Sequence, residues 1–103
     1  MAERPLVSIV IPALNEEDVL GRTLSALEQQ PPPHEVIVVD GHSTDDTRSI
    51  ARRMGAAVLR AERGRASQLN RGAEAADGDI FLFLHADTVL PPDGLACIRR
   101  TLV

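Results

Sequence analysis

Glu35-Val36-Ile37-Val38-Val39-Asp40-Gly41 is the stretch on which the fold turns. Val36, Ile37, Val38 and Val39 are β-branched without interruption, so both faces of the extended segment are apolar rather than alternating with polar positions. A parallel strand covered on each side by helices has this pattern. The run closes on Asp40-Gly41, a carboxylate and a turn residue at the carboxyl end of the strand.

The same grammar repeats outward in both directions. Residues 7–11, 57–59 and 80–84 also read as strands, and the first and last of these are nearly continuous in Val, Ile, Leu and Phe. The segments between them have helical period. Val19, Leu20, Leu24 and Leu27 draw one apolar stripe along a helix over 17–28, which Pro31-Pro32-Pro33 stops. Ser43 stands three positions before Asp46 and is expected to cap a second helix over 45–54, with Asp45 and Asp46 favourable at the positive end of its dipole and Gly55 ending it. A third helix is expected over 65–76, stopping at Asp77-Gly78, and a fourth after Pro91-Pro92-Asp93. The chain is thus an α/β domain, Rossmann-like, of the form βαβαβαβα. Right-handed crossovers favour the strand order 3-2-1-4, which puts strand 1 beside strand 4 at the switch point.

Three polar clusters follow directly on strands: Pro12-Ala13-Leu14-Asn15-Glu16-Glu17, Asp40-Gly41-His42-Ser43-Thr44-Asp45 and His85-Ala86-Asp87-Thr88. In an open parallel sheet the carboxyl ends share one rim, where ligands bind, so the Pro12 loop, Asp40 and Asp87 are expected to open onto a single crevice. The arrangement describes a nucleotide pocket of unusual chemistry. The loop after strand 1 lacks the G-x-G-x-x-G pattern, nothing matches G-x-x-x-x-G-K-[ST], and acidic residues at the helix start would repel phosphate. A diphosphate must then be neutralised otherwise, and a carboxylate holding a divalent cation is the obvious means. Asp87 is placed for it.

Composition narrows the partners. A chain of 103 residues is one domain, long enough to bury roughly two thirds of its unfolded surface. A net charge of -4 and only two aromatic residues argue against a nucleic-acid binder, which wants a basic face and stacking rings. One cysteine excludes an internal disulfide and fits a reducing cytoplasm, attachment to a membrane surface included. The apolar run 7–14 is too short to span a membrane and lacks a signal-type cleavage site. There is no repeat, low-complexity tract or linker.

Residues 7–17, 35–41, Ser43-Thr44-Asp45 and 78–87, taken in order and at their spacing, resemble the nucleotide-binding half of family 2 glycosyltransferases with the GT-A fold. Leu84-His85-Ala86-Asp87-Thr88 is similar to a bacterial subgroup that includes enzymes assigned to arsenosugar biosynthesis. The resemblance implies that Pro12, Ala13, Leu14, Asn15 and Glu16 surround the base and ribose of a nucleoside diphosphate sugar. It implies that Asp40, an ionised carboxylate with only acceptors, takes hydrogen bonds from base or ribose. Arg65 matches an arginine that lies against the base or diphosphate, and Asn70 follows at the family's spacing. Asp87 corresponds to the last acid of the D-x-D motif, the ligand of Mn²⁺ or Mg²⁺ and the diphosphate. His85 departs from the commonest form of that motif, which has an acid there. On an extended segment His85 and Asp87 point to the same side, so the imidazole is either a second metal ligand or a hydrogen-bond partner of the ribose.

Each residue also has a plainer reading. Asp40 is a suitable turn cap, Glu16 and Glu17 complement a helix dipole, Arg65 with Arg63 and Arg71 forms a solvated basic face, and His85 is a satisfied strand-end histidine. Asp79 marks the strand entrance at the opposite rim. The chemistry the resemblance implies is inverting sugar transfer to an acceptor the sequence does not name, with a general base from the second half of the domain. The chain ends at Val103, so these residues alone are expected not to turn over, and strand 4 is expected to present an apolar edge prone to self-association. Two other classes stand beside this one: a sugar nucleotidyltransferase on a related fold, which should carry a glycine-rich basic phosphate loop, and a non-catalytic nucleotide-sugar binding module.

Overall fold

The computed structural model describes residues 5–102. Strands β1 (Val7–Ala13), β2 (His34–Asp40), β3 (Ala57–Arg60) and β4 (Ile80–Phe83) alternate with helices α1 (Leu20–Glu28), α2 (Thr47–Arg53), α3 (Arg65–Ala75) and α4 (Gly94–Leu102). The strands form one sheet in the order β3-β2-β1-β4, as the crossover rule predicts, and every neighbouring pair is parallel. Ala13 is in register with Asp40, so β1 and β2 reach the carboxyl rim together.

The continuous apolar runs are explained by the layers on either side. Successive side chains of a strand face opposite ways. Val7, Ile9, Ile11 and Val38 pack with Leu20, Leu24 and Leu27 of α1, Ala51 of α2 and Leu95 of α4. On the other face Val10, Ile37 and Val39 pack with Leu69 of α3 and with Ala76 just beyond it. Each fully buried aliphatic side chain contributes roughly 1.5–3 kcal/mol relative to exposure. The core sits over β1 and β2.

The structure corrects several sequence expectations. α1 begins at Leu20 rather than Glu17, because Glu16 O first accepts the Val19 and Leu20 amides in a preceding turn, at 3.1 and 3.0 Å. α2 begins at Thr47, and its cap is not Ser43. Asp45 Oδ1 accepts the Thr47 amide at 2.9 Å and the Thr47 hydroxyl at 2.5 Å. The Ser43 hydroxyl is spent instead on the Asn15 amide, 2.8 Å away in the loop after β1. β4 is covered on one face only: Ile80 and Leu82 join the core, while Phe81 and Phe83 are 46% and 50% exposed. α3 lies across β1, β2 and β3, which leaves the Phe81 and Phe83 side of β4 without its cover. At the opposite rim Asp79 does mark the strand entrance, its carboxylate accepting the Leu6 amide at 3.1 Å.

Candidate functional site

Between the carboxyl ends of β1 and β4 the rim opens into a cavity of about 390 Å³. Pro12, Ala13, Leu14 and Glu16 line it from the β1 side, His85, Ala86 and Asp87 from the β4 side, and Arg63, Gly64, Arg65 and Gln68 from the start of α3. A smaller recess of about 110 Å³ continues past Pro12, Arg65 and His85 to Leu69 and Phe83. Carboxylates of Glu16 and Asp87 thus share a cavity with the guanidinium groups of Arg63 and Arg65. Such a wall accepts an anionic group only where arginines or a cation meet it.

Local chemistry fixes each part of this wall. After β4 the chain turns rather than staying extended, the Thr88 amide donating to His85 O at 3.1 Å, yet His85 and Asp87 still face the same cavity with Ala86 buried between them. The Thr23 hydroxyl of α1, fully buried, donates to Ala86 O at 2.6 Å and holds this turn from below. Arg65 Nη2 reaches 3.5 Å from His85 Nδ1 across the cavity mouth.

The loops after β1 and β2 are stitched together. Asn15 adopts a left-handed φ of 53°, a conformation that asparagine tolerates better than most residues. Its side chain accepts the Thr44 amide at 2.8 Å while its own amide donates to Ser43. The Glu16 amide donates to Thr47 Oγ1 at 2.8 Å, the Glu17 amide to Asp45 Oδ2 at 3.2 Å, and the Asp46 amide to Glu17 Oε1 at 3.0 Å. Burial pushes the Asp45 carboxyl upward, but the Thr47 hydroxyl and the Thr47 and Glu17 amides outweigh it and hold the group below its ordinary value of 3.8.

Pro12, Ala13, Leu14, Glu16, Arg65, His85 and Asp87 are therefore brought together, as expected. Asn15 and Asp40 are not in the wall. Asn15 is exposed and turned toward Thr44. Asp40, expected at the crevice, is fully buried: Oδ2 accepts the Ser43 amide at 2.9 Å and lies 3.7 Å from Arg48 Nε, whereas Oδ1 is buried without a hydrogen-bond partner. Sequence reading missed Gln68 and Thr23. Both stand as polar residues on apolar helix faces, Thr23 within the Leu20, Leu24, Leu27 stripe and Gln68 one turn before buried Gly72.

Among the described residues no group of three or more His, Cys, Asp and Glu side chains gathers to hold a metal. Mg²⁺-type ions, however, are commonly held by one or two carboxylates with substrate phosphates and water completing the shell. Exposed Asp87 meets that requirement, while His85 has Nδ1 within 3.5 Å of Arg65 Nη2.

Comparison with known proteins agrees with this geometry. The family described as Glycosyl transferase family 2 matches residues 8–98. An uncharacterised glycosyltransferase of Mycobacterium bovis is 40% identical over 82 residues, covering 79% of this chain and 36% of that protein. A mannosyltransferase from Pyrobaculum calidifontis, solved in complex with GDP-Man and Mn²⁺, superposes with a TM-score of 0.85 at 32% identity, over 98% of this chain and 33% of that one. Glucosyl-3-phosphoglycerate synthase from Mycobacterium tuberculosis, solved with Mn²⁺, UDP and glucosyl-3-phosphoglycerate, gives 0.76 at 31% identity, over 86% and 36%. The chain spans about a third of the length of these relatives. Its fold, its sheet order and the extent of the family match have one reading: the chain belongs to glycosyl transferase family 2 and has the GT-A fold.

Proposed function

We propose that this chain binds the donor of an inverting glycosyltransferase, a nucleoside diphosphate sugar, in the cavity between β1 and β4. The observation that carries the reading is the wall itself, in which Asp87 stands with Arg63 and Arg65 at the strand-order switch point. The apolar edge of Pro12 and Leu14 takes the base, with Ala13, Asn15 and Glu16 shaping the ribose end. Arg65 lies against the diphosphate. Asp40 offers its unpaired Oδ1 to a donor on the base or ribose, which requires the loop above it to yield.

Asp87 is the catalytic carboxylate in this reading and the ligand of Mn²⁺ or Mg²⁺; bound there, the cation would neutralise charge developing on the leaving diphosphate. Between the two roles open for His85, its contact with Arg65 favours a hydrogen bond to the donor over metal ligation. The carboxylates of the wall, Glu16 and Asp87, are both committed to the donor, so we assign the general base to neither, and these residues alone bind without transferring. The half-exposed Phe81 and Phe83 are the surface for self-association of the isolated chain.

Titration calorimetry with UDP, GDP, ADP, CDP and dTDP, each with Mn²⁺ and with chelator, tests the proposal. At least one diphosphate should bind, and more tightly with the metal. Absence of binding across the set at millimolar nucleotide would refute it.

A further inference from the structure

Gln68 is buried, with 5% of its surface exposed, in a helix whose neighbouring positions toward the rim are solvated. Its amide is almost fully used. Nε2 donates to Ala13 O at 3.0 Å and to Val39 O at 2.9 Å, and Oε1 accepts the Gly64 amide at 3.2 Å. One side chain therefore ties the carboxyl ends of β1 and β2 to the residue that precedes α3. Gly41 closes over the amide so tightly that a Cβ there would lie 3.0–3.1 Å from it. The partners set the amide's orientation, because the two carbonyls can only accept and the Gly64 N–H can only donate.

The tie matters because of what it holds. Gly64 has φ 134°, a conformation that side chains resist and that glycine alone does little to fix. Arg63 and Arg65 flank it, and all three line the cavity. Only an amide offers donors to two carbonyls and an acceptor to an N–H at once; an ionised carboxylate has no donor, and a thioether has none either.

We propose that Gln68 is a positioning residue that sets Arg65 against the diphosphate of the donor. This rests on the cavity's being the donor site. Gln68 acts through Gly64 and the first turn of α3, so its effect on binding should depend on Arg65, whereas its effect on stability should not.

A double-mutant cycle separates these, read as affinity for UDP and GDP with Mn²⁺ by calorimetry beside thermal unfolding of each variant. Gln68→Met should weaken binding by about tenfold when Arg65 is present and by less than about twofold in an Arg65→Met background. The fall in melting temperature should be the same in both. Equal losses of affinity in the two backgrounds, or no loss in either, would overturn the proposal. If wild type binds neither nucleotide, the donor-site reading falls and this one with it; if wild type binds and the cycle is additive, only this one falls. Should Gln68→Met fail to fold, Gly41→Ala, which pushes on the amide without removing it, replaces it in the same cycle and is held to the same outcomes.

Discussion

Gly72→Ala should lower stability by about 2 kcal/mol, although in an isolated helix the same change would be favourable. A Cβ at position 72 would lie 2.3 Å from Val10 Cγ1 and 3.1 Å from Val39 Cγ2. Carbon atoms rest at about 3.5–4.0 Å, so α3 must lift off the sheet by something over an ångström, roughly the shortfall of the closer contact. The valines cannot give way instead. Both are 0% exposed, in the two central strands, with the core on their far side. Alanine is about 1 kcal/mol better than glycine inside a helix, and overpacking costs about 1–3 kcal/mol or more. A clash this deep belongs at or above the upper end, which leaves the net loss near about 2 kcal/mol.

For a domain of this size that is a drop of about 8–16 °C in melting temperature. Circular dichroism on heating and a urea titration of the same samples measure it, the second showing whether the cooperativity of unfolding is retained. Lifting α3 also withdraws Arg65 and Gln68 from the cavity, so the folded variant should bind nucleotide more weakly. A Gly72→Ala protein that melts at or above the wild-type temperature would show that α3 does not press on Val10. The close approach that carries the start of α3 to the rim would then be wrong.

Further outcomes follow from individual groups. Asp87→Asn should remove the gain in nucleoside diphosphate affinity that Mn²⁺ gives while leaving metal-free binding; an undiminished metal effect in calorimetry would remove Asp87 from the cation. Thr23→Val, which keeps the shape but leaves the buried Ala86 carbonyl without its donor, should cost about 1–3 kcal/mol in urea unfolding. Because the folded Asp45 carboxyl lies below its ordinary 3.8, its contribution is complete above about pH 4 and is lost as pH falls through the folded value. Asp45→Asn should therefore be less stable at neutral pH with a flatter acid limb, and parallel curves of urea midpoint against pH would contradict this. Replacing half-exposed Phe81 and Phe83 by glutamate should lower the apparent mass in concentrated solution by light scattering, and a wild-type chain already monodisperse as a monomer would leave nothing for those rings to do.

The sheet was legible because its signal is collective. Uninterrupted β-branched runs demand cover on both faces, and the crossover rule then allows few strand orders. Cap assignments failed for the opposite reason. Ser43 and Asp45 are both good capping residues two positions apart, and what separates them is that Ser43 faces Asn15, 28 residues earlier, across a gap no local pattern records. β4 misled in the same way: Phe81 and Phe83 extend an apolar run as convincingly as core residues do, and only the lateral reach of α3 decides that they stay half exposed. Asp40 lies at the end of β2 as expected, and its carboxylate turns inward to take the Ser43 amide three residues on, the plainer turn-cap reading, beside Arg48.

The residues that were missed share one physical role, and it divides the site into two populations. Where strands end, side chains serve backbone groups beyond the ladder or add a second bond to a carbonyl, as at Ala13 O, which also accepts the Gly41 amide. Thr23 serves Ala86 O, Gln68 serves Ala13 O and Val39 O, Ser43 serves the Asn15 amide and Thr47 the Glu16 amide, and all four side chains are buried. Arg65, His85 and Asp87 are exposed and support none of this stitching. Substituting a stitching residue should therefore lower stability and binding together, because the shape of the cavity is the conformation of those loops. Substituting an exposed one should lower binding and leave the melting temperature where it was. The sequence signature of the first group is a lone polar residue interrupting an apolar helical stripe, as Thr23 does between Leu20 and Leu24. Such a residue can stay buried only by serving a backbone atom or another polar group, and at the carboxyl rim of a parallel sheet the backbone atoms within its reach are those that shape the ligand's cavity.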